Sequence, residues 1–208
     1  METGKYIVIE GNDGTGKSTQ IDMLAEYLIS RGIETVTQHE PAGTPMADAI
    51  RTIIKNGELE RSAETNLLLF TAARTEIWQR AKTQLALGKW VLSARNYLST
   101  IAYQGSGQGL DTDKIISITR DFTDERYMQP DRTIILTLDD ESRKIRIAKR
   151  GELDAPDTFE SMGDDFQTKV NSTYMDLASK YNYPVVDATQ TIDEVQMQIR
   201  KLIGLVDS

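Results

Sequence analysis

The chain has 208 residues, a length suited to one domain, and its 39% hydrophobic and 27% charged residues support a packed core and exclude wholesale disorder. It carries 24 basic against 32 acidic residues, a net charge of −8, which argues against general affinity for nucleic acid or anionic lipid but leaves room for a local basic pocket around one small polyanion. With no cysteine and a single histidine, His39, disulfides, thiolate catalysis, Cys-ligated zinc and multi-His metal sites are excluded.

Taken in chain order, short β-rich runs alternate with longer helical periods, the pattern of an α/β fold with a five-stranded parallel sheet flanked by helices. The first strand is expected over Tyr6–Glu10, followed by a helix from Lys17 that keeps Ile21, Leu24, Ala25 and Leu28 on one face and can stop at Gly32. A second strand, Glu34–Gln38, precedes a helix over Pro45–Ile54. The longest helix, about Thr65–Leu87, is apolar around much of its girth and reads as central and buried. Strands follow at Lys89–Ser93, Thr133–Leu138 and Tyr183–Val186, and Thr191-Ile192-Asp193-Glu194 reads as a capping box opening the last helix. The stretches Gln104–Gly109 and Gly151–Gly163 are expected to be mobile loops. No run approaches the roughly 18 apolar residues of a membrane span, and the N-terminus enters a strand rather than a signal peptide, so a cytoplasmic protein of one domain over 1–208 is expected.

Gly11-Asn12-Asp13-Gly14-Thr15-Gly16-Lys17-Ser18, with Thr19 next, fits G-x-x-x-x-G-K-[ST] between a strand and a helix, the context that a phosphate-binding loop requires. Glycines let successive amides turn toward one anion, and the helix start adds its positive dipole end. Lys17 can reach the β and γ phosphates of ATP, and the Ser18 hydroxyl can ligate Mg2+. This loop alone does not separate a kinase from a GTPase, a motor or a regulatory ATPase.

Four further segments do. Glu40-Pro41-Ala42-Gly43-Thr44-Pro45, Phe70-Thr71-Ala72-Ala73-Arg74, Ser93-Ala94-Arg95 leading to Leu98-Ser99-Thr100-Ile101-Ala102-Tyr103-Gln104-Gly105, and Arg150-Gly151-Glu152-Leu153-Asp154 follow in that order. Together with the phosphate loop they resemble the thymidylate kinase family of nucleoside monophosphate kinases, over nearly the whole chain. The resemblance implies the P-loop kinase fold, ATP with Mg2+ as donor, dTMP as acceptor and a homodimer. It implies acceptor contacts from Asp13, Glu40, Pro41, Phe70, Arg74, Arg95, Thr100, Tyr103 and Gln104. Phe70 would stack on the base, Arg74 would donate to a base carbonyl, Arg95 would hold the acceptor phosphate, and Tyr103 would fill the space beside C2′ of the sugar. Without the resemblance, Phe70 reads more readily as a core aromatic, while a surface ion pair for Arg95 and a loop cap for Asp13 are the lesser alternatives.

Arg143, Arg146 and Arg150 share one helical face, by itself the mark of a solvated surface. Before Gly-Glu-Leu-Asp they resemble the lid, about 141–163, of the family subtype whose catalytic arginines lie there, with Arg146 and Arg150 joining Lys17 and Arg95 as catalytic residues. Asp187-Ala188-Thr189-Gln190 corresponds to the family's loop beside adenine. The chain departs from the family at Ala94, where an aspartate usually helps hold magnesium. It departs also at Asn96, Tyr97 and His39, the last of which reads as structural. The loss at Ala94 leaves Ser18, phosphate oxygens and water, with Glu10 or Asp13 nearby, and implies weaker metal binding. A kinase for another deoxynucleoside monophosphate and a non-catalytic nucleotide-binding module are the alternatives.

Overall fold

The computed structural model describes residues 3–150, 158–159 and 162–205, with Arg150 by its backbone alone. Five strands, β1 (Tyr6–Gly11), β2 (Thr35–His39), β3 (Trp90–Ala94), β4 (Arg132–Thr137) and β5 (Val185–Asp187), form one parallel sheet in the order β2-β3-β1-β4-β5. Each lies within two residues of its expected position. The described helices are α1 (Lys17–Ser30), α2 (Pro45–Lys55), α3 (Ala63–Ala86), α4 (Tyr97–Thr100), α5 (Thr112–Phe122), α6 (Glu125–Met128), α7 (Asp140–Arg150), α8 (Asp164–Tyr181) and α9 (Ile192–Leu202), with a π-helical turn, Ile101–Gly107, continuing α4.

Alternation along β1 builds two core layers, because successive side chains leave a strand on opposite faces. Ile7 and Ile9 pack with Ile21, Leu24 and Leu28 of α1 and with Val195 and Ile199 of α9. Tyr6 and Val8 pack on the other side with Trp78, Ala81 and Leu85 of α3 and Ile115 of α5. Strand β1 is buried along its whole length, as a central parallel strand must be, whereas the edge strands β2 and β5 are partly exposed. The capping box at α9 is present, with Thr191 and Glu194 exchanging side-chain and backbone bonds.

Two expectations need correction. Helix α3 is buried along one flank, through Leu67, Arg74, Ile77, Trp78 and Leu85, while Leu68 on the other is 57% exposed. Gln104–Gly109 is not a loose loop: residues 101–105 are all buried, the π-helical turn runs to Gly107, and Gly109 N donates to the Gly105 carbonyl. Its glycines serve close packing instead, since a Cβ on Gly107 would lie 2.4 Å from the Phe166 ring. Of Gly151–Gly163, only Thr158, Phe159, Met162 and Gly163 fall within the described residues.

Gly11 has a φ of 140°, and a Cβ there would lie 2.2 Å from the Leu136 carbonyl oxygen of β4. Both the backbone conformation and the approach of β4 therefore demand glycine. Replacing Gly11 by alanine is expected to lower the unfolding free energy by about 2 kcal/mol or more in denaturant titrations. A loss below about 0.5 kcal/mol, the range of an ordinary surface change, would contradict this account.

Candidate active site

The loop leaving β1 turns through Gly14 and Gly16, with φ of 84° and 88°. Gly16 caps α1 without a side-chain hydrogen bond, and no acidic residue occupies the first turn. A helix start of this kind presents its first-turn amides to an anion. Lys17 is buried, and its Nζ donates to the carbonyls of Gly11 at 2.9 Å and Asn12 at 2.8 Å. Asp13, Gly14, Gly16, Lys17, Ser18 and Thr19 line a cleft of about 590 Å³. Gly11, Asn12 and Thr15 are buried behind it, and the Thr15 hydroxyl donates to the Asn12 carbonyl at 2.9 Å.

At the end of β1 the Glu10 carboxylate is fully buried and surrounded by donors. It accepts from Asn96 N at 2.8 Å, Ser99 N at 3.1 Å, Ser99 Oγ at 2.8 Å, Tyr174 OH at 3.0 Å and Gly11 N at 3.3 Å. Glu10 therefore faces the protein and is not the metal-side carboxylate that its sequence position allowed.

Arg95 leaves β3 with a φ of 77°, a left-handed conformation that costs a non-glycine residue about 1–2 kcal/mol. Its backbone N–H donates to the Ile9 carbonyl at 3.0 Å, and its guanidinium donates to Ser99 Oγ at 3.0 Å, Tyr174 OH at 3.3 Å and the Gly11 carbonyl at 3.3 Å. It also closes an ion pair with Asp13. Tyr103 OH donates to the same carboxylate at 2.8 Å and lies 3.0 Å from Asn12 Oδ1. Burial by itself raises the Asp13 carboxyl, but the Arg95 and Lys17 charges and the Tyr103 bond outweigh it and hold the group well below the usual carboxylate range.

Across the cleft Arg74 is buried, donating from Nε to Glu40 at 2.9 Å and from Nη1 to Thr100 Oγ1 at 2.6 Å. Glu40 also accepts from Tyr127 OH at 2.8 Å. The Arg74 guanidinium lies 5.1 Å from the centre of the Phe70 ring, and Phe70 lines the cleft with Pro41, Arg74, Tyr103 and Gln104. Thr100 stands behind Arg74 and holds it in place.

Arg146 of α7 lines the cleft and donates to the Ala188 carbonyl at 2.6 Å, tying α7 to the loop after β5. Arg143 is not solvated: it is 4% exposed, its side chain packs against Gly14, and its Nε has no hydrogen-bond partner. The Arg150 side chain lies outside the described residues.

Compared with known proteins, the family model described as thymidylate kinase matches residues 9–199. The chain belongs to the thymidylate kinase family. Among curated relatives, a thymidylate kinase of Burkholderia vietnamiensis is 34% identical over 98% of this chain and 99% of that one. Another, of Colwellia psychrerythraea, is 36% identical over 99% of this chain and 97% of that one. A crystal structure of thymidylate kinase from Ehrlichia chaffeensis superposes with a TM-score of 0.76 at 29% identity, covering 97% of this chain and 99% of that chain.

Within this thymidylate kinase fold, the sequence reading missed Arg51 and Lys55 of α2 and Phe159, all of which line the cleft. The helical spacing of α2 drew attention to its apolar side, and no local signal marks Phe159. His39 lies 3.6 Å from Asp22 at the cleft margin, an ion-pair distance only when the imidazole is protonated.

Burial pushes the Glu40 carboxyl from its ordinary 4.5 up to about 7, against the pull of Arg74 and the Tyr127 hydrogen bond. The folded value exceeds the unfolded one, so this group's contribution to stability is complete below about 4.5 and is lost as pH climbs through about 7. Denaturant titrations across that window should show wild-type stability falling by about 1–3 kcal/mol relative to Glu40→Gln, in which the decline is absent. Parallel pH profiles for the two proteins would refute the assignment.

Proposed function

We propose that the protein transfers the γ-phosphoryl group of ATP to dTMP, giving ADP and dTDP. One observation carries the reading: a single cleft is lined by the phosphate loop with Lys17 and by Arg74 and Phe70, with Arg95 joined to the loop through Asp13 and the Gly11 carbonyl. The chain is acidic overall, yet the cleft is lined by Lys17, Arg51, Lys55, Arg74, Arg95 and Arg146 against Asp13 and Glu40. That inversion of charge suits two phosphorylated ligands meeting end to end.

The loop amides and Lys17 would cradle the donor's phosphates, and Arg95 would grip the acceptor's phosphate through its fork of donors. An oxygen of that phosphate would then attack the γ-phosphorus in line while the bond to the bridging β–γ oxygen breaks and ADP leaves. No covalent enzyme intermediate is needed, since alignment and charge neutralisation supply most of the rate. Arg146, with Arg150, would place positive charge on the transferring group from a lid over about 141–163. Phe70 would offer its face to the base, Arg74 a donor to a base carbonyl, and Gln104 a further contact. Glu40 and Thr100 orient Arg74, and Pro41 bounds the pocket.

The donor set fits magnesium that arrives on the nucleotide, with Ser18 as the protein's oxygen. Glu10 is committed to five donors, and a methyl, Ala94, ends β3 beside β1 where many phosphate-loop proteins carry a metal-binding aspartate. When bound, the metal supplies charge neutralisation at the phosphates.

The same reading takes residues 1–208 as one kinase domain working in the cytoplasm as a homodimer. Exposed Met46, Ile53 and Leu68 on the paired helices α2 and α3 offer apolar surface for a second copy. Among the described residues no helix is long and apolar enough to cross a membrane.

A coupled assay of purified protein should show ADP release that depends on dTMP, and its absence would sink the proposal. Arg95→Ala should lower kcat/KM for dTMP by about 100-fold or more while leaving ATP binding little changed. For the metal, Ala94→Asp should tighten Mn2+ binding in the presence of ADP by about tenfold or more in electron paramagnetic resonance titrations. Unchanged Mn2+ affinity would mean that the end of β3 does not face the metal.

A further inference from the structure

Phe159 is held in the cleft by bonds on both of its flanks. The Thr158 hydroxyl lies 3.2 Å from the carbonyl oxygens of both Ile54 and Lys55 at the end of α2. On the other side, Gln167 of α8 donates from Nε2 to the Phe159 carbonyl at 2.8 Å. The Gln167 carbonyl in turn accepts from Asn12 Nδ2 at 3.4 Å, so the brace reaches the phosphate loop. Phe159 itself is 5% exposed and lines the cleft.

Its neighbours there are the acceptor-side aromatics. Its ring centre is 5.8 Å from that of Phe70 at a tilt of 47°, and 6.1 Å from that of Tyr103 at 90°. Two rings that sandwich a base stand about 7 Å apart, twice the van der Waals spacing of stacked carbons. Phe159 is therefore too close to Phe70, and too tilted, to be a second stacking slab. A base lying on the part of the Phe70 face that Phe159 leaves open would meet Phe159 at its edge.

We propose that Phe159 is a specificity-determining residue: the edge wall that limits the in-plane size of the acceptor's base. The proposal rests on the acceptor assignment above and adds to it a named boundary. An apolar wall discriminates by bulk, since a methylene too many or too few in such a pocket changes affinity about 10–200-fold. A phenylalanine that served only as core packing would affect folding without ranking bases by size.

The test compares wild type, Phe159→Ala and Phe159→Leu, the last keeping apolar volume should the alanine variant fold poorly. Calorimetry gives Kd for dTMP, dUMP and deoxyuridine monophosphates bearing 5-bromo, 5-iodo and 5-propynyl groups. Steady-state KM is measured for dTMP and for ATP. Phe159→Ala should weaken dTMP binding about tenfold, leave KM for ATP within about twofold, and improve binding of the 5-propynyl nucleotide relative to dTMP about tenfold. Phe159→Leu should fall between. A dTMP to 5-propynyl ratio that stays at the wild-type value in both variants, or a KM for ATP that rises in step with that for dTMP, overturns the proposal. Wild-type turnover of dTMP tests the acceptor assignment separately, because the binding ratio among the analogues is read without turnover.

Discussion

The site depends on one buried carboxylate. Glu10 is the penultimate residue of β1, directly before the phosphate loop, and its five donors come from the loop, from the start of α4 and from α8. A buried anion is tolerated only when its lone pairs are fully engaged, and removing partners from one is far more costly than removing a surface charge. Glu10 thereby locks the residues on either side of Arg95 to the end of β1: the Arg95 amide bonds to Ile9 and the Asn96 amide to Glu10 itself. The left-handed backbone of Arg95 is strained, and these flanking bonds hold it there. The strain is thus maintained by the same group that accepts from the Gly11 amide at the start of the phosphate loop.

Charge is distributed to match. Arg95 spends its fork on Asp13 and on carbonyl and hydroxyl oxygens, all of which a phosphate can replace. The Asp13 carboxyl, held low by the Arg95 and Lys17 charges against the opposing effect of burial, fixes the Arg95 guanidinium in place. Arg143, packed against Gly14 and paired with Asp140 at 3.7 Å, adds a buried cation behind the loop. Each group is costly to bury alone, and each is offset by a charge of the opposite sign that the protein or the ligand supplies.

Much of this was legible from residues close in sequence. The strand, the glycines and Lys17 specify a phosphate loop because their chemistry is local, and the strands of the sheet are hydrophobic enough to stand out. Helix α8 was not legible, because buried Gln167 and Thr173 interrupt its apolar stripe. Helix α5 likewise mixes Thr and Ile, which favour neither state strongly. The role of Glu10 was illegible for a different reason: its partners come from residues 96 and 99 and from residue 174, and no spacing rule links them. Phe159 falls in the same class. A polar, glycine-bearing stretch reads as a loop whether or not one of its aromatics is buried elsewhere.

The misread stretch at Gln104 shows how irregular geometry substitutes for a longer motif. In an α-helix neighbouring side chains diverge by about 100°, so adjacent residues rarely serve one pocket. Along the π-helical turn Ile101–Gly107 each turn is wider, and Tyr103 and Gln104 both line the cleft. Tyr103 can then place its hydroxyl between Asn12 and Asp13 while its ring meets Phe159 edge-on. Gln104 turns to Gln108, which also receives a bond from Asn66 at the start of α3. Tyr103 thus contacts the phosphate loop while Gln104, beside it in sequence, lines the same cleft. The glycines at 105 and 107 allow that turn to pack against Ile115 and Phe166, so what looks in the sequence like flexibility is close packing that holds two pocket residues side by side.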